Sequence, residues 1–241
     1  MLVSSLLPGL TFQIMTATLA PLFPGVAQGQ NALASQITTF LNRNPSAFET
    51  DLKRNRPVVT PQLRAANLAS FLESLPEDGE VKTLSLPERH NLDSLDRVLN
   101  AHGGLYQIRI LNMPQSVIGL YRSTVLWISQ PALTLLNEEE LQAAVAHEMG
   151  HAYVWDETRS AQETRNYSRL KEIEIFCDAV AIIILRQANV HPSSLIASVD
   201  KLNQFNQHRF GAALNSASYP TIDARRRSAA KVMKWLRQAR D

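Results

Sequence analysis

His147-Glu148-Met149-Gly150-His151 reads HExxH and lies inside a stretch patterned as a helix. In a helix, residues four apart project from one face on successive turns, so the two imidazoles can grip a single metal ion. Glu148 stands between them and can reach a water held at that ion as general base. The plain alternative is a solvated helix with two surface histidines. The flanking sequence favours a helix built to hold the pair. Asn137 is a good N-cap, Glu140 follows at capping-box spacing, and Glu138, Glu139 and Glu140 suit the positive end of the helix dipole. Leu141, Ala144, Val145 and Ala152 then recur at helical spacing, with no Pro or Gly before Gly150. Gly150 costs a helix about 1 kcal/mol against alanine. A small residue there would let another backbone approach the site; a simple tolerated glycine is the alternative.

A catalytic zinc site needs a third protein ligand, with the fourth position left for water. The metzincin solution would place a histidine six residues beyond His151. Position 157 is Glu157 and no glycine intervenes, so that class is excluded. Downstream, residues 171–185 form a helix apolar on nearly every side, a pattern that predicts a central position. Glu174 and Asp178 are four apart on one of its faces. A carboxylate buried beside Ile173, Phe176 and Ile182 without a partner would be costly. A metal for Glu174, and a metal-bound imidazole for Asp178, would remove that cost. The alternative is that both carboxylates point to solvent. Glu172 competes as a ligand but faces roughly the opposite side of the helix.

HEMGH followed by Glu174-x-x-x-Asp178 on a second helix resembles the zinc metallopeptidases of the HtpX-like and CAAX-prenyl-protease type, the gluzincin peptidase family M forty-eight. The similarity extends upstream through residues 124–141, ending in Leu136-Asn137-Glu138-Glu139-Glu140-Leu141. It continues downstream through Tyr219-Pro220 with Arg225 six positions after the tyrosine. The resemblance implies a zincin-like metallopeptidase core, mainly helical, with a small β-sheet beside the active-site helix. It implies one zinc ion held by His147, His151 and Glu174, with Glu148 as catalytic base and Asp178 orienting a ligand histidine. Tyr219 stands where the family often has histidine. Its phenol could donate to a tetrahedral oxyanion, or it could simply pack before the proline. The resemblance also implies that the strand before the active-site helix, which holds Trp127, lines the cleft and pairs with an extended substrate by β-augmentation. An ordinary core strand is the alternative.

At 241 residues and 45% hydrophobic, the chain suffices for one well-packed domain, with or without a small extension. Its net charge of +2 gives no general case for nucleic acid. The basic C-terminal stretch predicts an amphipathic helix with a solvated face, or a peripheral contact with a membrane surface or acidic partner. No charged residue precedes Arg43, and residues 1–27 are mostly apolar, interrupted by Pro8, Pro21 and Pro24. Gly25-Val26-Ala27 supplies small residues before polar Gln28, so the segment reads as a signal peptide for export to a periplasm or the exterior, although a basic n-region is missing. A membrane anchor is the alternative. No uninterrupted apolar run of about 18 residues occurs elsewhere, which argues against a polytopic membrane domain. Cys177 is the only cysteine and reads as a core filler.

The rest of the chain predicts an α+β fold. Residues 28–59 read as a polar connector with some helix, and the metallopeptidase domain as 60–241. A helix starts at Thr60-Pro61 and runs to about residue 75, and another spans 92–101. Strands follow at 105–111 and 125–129, with a weaker one at 117–121. Further helices lie near 138–156, 168–189, 194–207 and 221–238. His90, His102, His191 and His208 have no motif context and are expected at the surface or in loops. The functional reading is a zinc metalloendopeptidase acting on protein or peptide segments, in envelope protein quality control. An intracellular repressor-cleaving metalloprotease and a non-catalytic zinc-stabilised binding or chaperone-like module are the alternatives.

Overall fold

The computed structural model describes residues 45–103, 106–211 and 217–238. The signal or anchor reading of residues 1–27, and the connector up to residue 44, lie outside the described residues. Along the chain come α1 (Pro45–Arg54), α2 (Pro61–Glu73), α3 (Leu86–Asp93) and α4 (Asp96–Ala101). Three strands follow, β1 (Gln107–Leu111), β2 (Ile118–Tyr121) and β3 (Val125–Ser129). The remainder is helical: α5 (Gln130–Leu135), α6 (Glu138–His151), α7 (Trp155–Glu163), α8 (Tyr167–Gln187), α9 (Ser194–Phe210) and α10 (Ile222–Gln238). The architecture is α+β, mainly helical with one small mixed sheet.

Local chemistry sets several boundaries. The Asn137 side chain accepts from the Glu140 backbone N at 2.9 Å, and the Asn137 backbone N donates to Glu140 Oε2 at 3.0 Å, closing the capping box of α6. Thr60 caps α2 by accepting from Leu63 N. α6 ends at His151 rather than near residue 156, because Val154 (φ −127°, ψ 26°) leaves helical geometry after a 3₁₀ turn at Ala152–Val154. The single helix expected over 92–101 is broken at Ser94-Leu95. There the Ser94 hydroxyl donates back to Asn91 O at 2.6 Å, and the Ser94 carbonyl accepts from Gln142.

The interior is built around α6 and α8. Every residue from Phe176 to Leu185 is buried, as its apolar periodicity predicts. Gly150 allows the two helices to touch: a Cβ added there would lie 2.8 Å from Cys177 Cα. The domain also begins before residue 60. Phe48 and Leu52 of α1 are buried in the main core, two apolar anchors one helical turn apart within an otherwise polar segment.

The sheet order is β1-β3-β2, with β3 parallel to β1 and antiparallel to β2. Ile108, Ile110, Ile118, Leu120, Leu126 and Ile128 pack on the main core, while Val125, Leu111, Tyr121 and Trp127 join Phe71 of α2 in a smaller cluster. This corrects one expectation. β3 is hydrogen-bonded on both sides, so the strand holding Trp127 has no edge to offer a substrate. Trp127 turns to the α2 side and covers Gly119, where an added Cβ would meet the indole at 2.4 Å. The outer edge of β2, packed beside α6, has no strand partner among the described residues.

Candidate metal centre

Helical spacing brings His147 and His151 to one face of α6, with ring centroids 5.1 Å apart. α8 crosses that face at Gly150 and delivers Glu174 opposite the pair. Among the described residues, one donor atom from each of His147, His151 and Glu174 lies within 4.8 Å of the other two. His147 Nε2 is 3.2 Å from Glu174 Oε2, and His151 Nε2 is 3.5 Å from Glu174 Oε1. His147 and Glu174 are buried. Glu174 Oε2 forms no hydrogen bond among the described residues. A buried carboxylate that faces one imidazole with each oxygen, one of them without a hydrogen bond, is the feature a cation would complete. The group can hold a metal ion.

A supporting layer fixes the ligands. His147 Nδ1 lies 2.9 Å from Asp178 Oδ1, so an Nδ1 proton donated to that carboxylate leaves Nε2 free to face Glu174. Asp178 is in turn clamped by Arg225 from α10. The guanidinium donates from Nε to Oδ2 at 2.9 Å and from Nη2 to Oδ1 at 2.5 Å. Nη1 of Arg225 also stands 3.8 Å from Glu174 Oε2. Arg225 is buried, and its role is the one that residue reasoning left unassigned. The signal was present as an arginine one turn into a predicted amphipathic helix, on its apolar face. Glu172, the competing ligand, instead pairs with Arg169 at 2.5 Å and takes no part in the cluster.

The buried charges shape one another. Burial works against the charge on Asp178, yet Arg225 and the hydrogen bond to His147 hold its carboxyl below the usual range. Burial alone would lower His147, but the Asp178 hydrogen bond and the Glu174 carboxylate outweigh it and hold the imidazole above its ordinary value. His151 is pulled below its ordinary value, chiefly by desolvation. Glu148 is half-buried as a residue, and desolvation of its carboxyl, with Glu174 adding repulsion, pushes it up to about 7. The site thus gathers three carboxyls, one guanidinium and two imidazoles, and a dication would take the place of the proton that His147 holds above its ordinary value.

Tyr219 is 36% exposed as a residue, but its phenol end is enclosed. Burial, then Glu174 and Glu148, push the phenol well above the usual tyrosine value, which keeps it protonated beside both glutamates. The structure therefore brings His147, His151, Glu174 and Asp178 together, with Glu148 in the same helical turn, and sets Tyr219 near enough for its phenol to feel the charges of Glu174 and Glu148. Of the other histidines, His90 and His191 are exposed, while His102 lies in the turn that ends α4, as a loop placement would have it, but is buried there, with Nε2 2.8 Å from Tyr153 Oη. The chain matches no protein-family model and no curated protein.

Proposed function

We propose that this protein is a zinc-dependent metalloendopeptidase that hydrolyses peptide bonds in extended protein segments, of the gluzincin kind its motifs resemble. The observation that carries the reading is the His147–His151–Glu174 cluster with Glu148 in the turn between the histidines. Its donor separations of 3.2 and 3.5 Å fit zinc well. Bonds of about 2.0–2.1 Å on a tetrahedron would hold donor atoms roughly 3.3 Å apart. Bound zinc supplies a water of lowered pKa and polarises the scissile carbonyl.

The chain's own residues supply the remainder. Glu148 accepts the proton of the attacking water and passes it to the leaving amine nitrogen as the C–N bond breaks and the new C–O bond forms. A carboxyl one residue from a ligand histidine is placed to take a proton from water at the ion and to return it. The protonated Tyr219 phenol donates to the developing oxyanion. Asp178 and Arg225 hold the His147 ring in place. A substrate strand adds to the outer edge of β2, beside α6, through main-chain hydrogen bonds that tolerate many side chains.

Metal analysis of the purified chain, joined to casein digestion with and without chelator, tests the proposal. The expected result is about one zinc per chain, with digestion lost on chelation and restored by added zinc. Zinc without digestion would mark a non-catalytic module, and digestion indifferent to chelation would overturn the metal's role. Export is a separate proposal resting on the composition of residues 1–27, and N-terminal sequencing of secreted protein tests it.

A further inference from the structure

α10 has two faces with different duties. Arg225, Ser228, Ala229, Val232 and Leu236 are buried against the domain, so the apolar side is already committed. Arg226, Arg227, Lys231, Lys234 and Arg237 are all exposed. At 100° per residue they fall within an arc of about 140°. Arg226 is paired with Asp223 at 3.3 Å and Asp200 at 3.5 Å. Arg227, Lys231, Lys234 and Arg237 have no carboxylate within 4.0 Å among the described residues. An ordinary solvated helix alternates acids with bases at these spacings, whereas like charges three and four apart repel. The helix carries six Lys/Arg and one Asp, a charge of +5 in a chain whose total is +2, so all other residues together sum to −3.

We propose that this outward face of α10 docks the protein on anionic lipid headgroups, so that the molecule sits on a negatively charged bilayer by its last helix. The charge division favours a plane over a long polyanion. A planar surface meets only the cationic face, while a wrapping nucleic acid would also meet the net-negative remainder. The exposed arc offers no aromatic side chain for base stacking: Trp235 is half-buried, with its ring 5.8 Å from that of Phe48. Because Val232 and Leu236 are held in the core, the contact is electrostatic rather than insertive, and salt releases it.

Vesicle sedimentation with the full chain tests this, using phosphatidylcholine alone or mixed with phosphatidylserine. Binding is expected to the mixed vesicles and not to phosphatidylcholine alone. It should fall away as ionic strength rises from about 0.1 M to about 1 M, where the screening length shrinks from about 10 Å to about 3 Å. Lys231→Ala/Lys234→Ala should weaken it about 30-fold, while Lys231→Arg/Lys234→Arg should leave it intact. Equal binding to both vesicle types would overturn the proposal. So would an unaffected alanine variant, or capture of a DNA duplex without vesicle binding.

Discussion

Glu148 sits between the two imidazoles in sequence but is not one of the three residues that could hold a metal ion. Glu148→Gln keeps the size and removes the base. It should retain zinc while peptide hydrolysis falls by about 10²–10⁴-fold, read from metal content and casein turnover in the same preparation. Undiminished turnover would reject its role. Arg225 acts one step further out. Arg225→Ala leaves the buried Asp178 carboxylate with His147 as its remaining partner, at a cost of up to about 3 kcal/mol of stability. The loosened His147 should weaken zinc binding about 10–100-fold. Denaturant midpoints and competition against a chromophoric chelator measure the two effects separately.

The contact between α6 and α8 depends on Gly150, since a methyl group there meets the Cys177 backbone rather than a yielding side chain. Gly150→Ala gains about 1 kcal/mol of helix propensity but should lose about 1–3 kcal/mol to overpacking. The net loss, seen in the urea midpoint, should be accompanied by weaker zinc binding because His151 and Glu174 lie on the helices being forced apart. An unchanged midpoint and affinity would show that the helices yield without cost. This close approach was one of two readings the sequence offered for Gly150, whereas the paired histidines, the α6 capping box and the apolar α8 were legible, because each follows from spacing along one element. Strand order was not. β2 reads weakly, and its link to β3 puts Arg122 (φ 46°) and Ser123 (φ 62°) in the left-handed region without the glycine or asparagine that usually announces such a turn. A tertiary bond from Asn67 Nδ2 to Arg122 O, at 3.0 Å, secures the link from α2. The clamp of Arg225 on Asp178 was equally hidden, since 47 residues separate the partners.

At the scale of the whole molecule, His102 links stability to pH. Burial first, and Arg56 second, hold its pKa down to about 4, below the ordinary 6.5. The folded chain therefore keeps this imidazole neutral while the unfolded chain protonates it. The stability that His102 contributes is present above pH 6.5 and is lost as pH falls towards 4, by up to about 3 kcal/mol. His102→Gln should flatten that part of the curve of unfolding midpoint against pH; identical curves would exclude His102 as its source. The clamp between α8 and α10 also has a consequence in time. A ribosome releases α6 and α8 before α10, so a nascent chain carries the ligand residues while Asp178 still awaits its guanidinium. The clamp on Asp178 therefore closes only after synthesis has passed residue 225, and a chain stalled before that point lacks the guanidinium that steadies the His147–Asp178 pair.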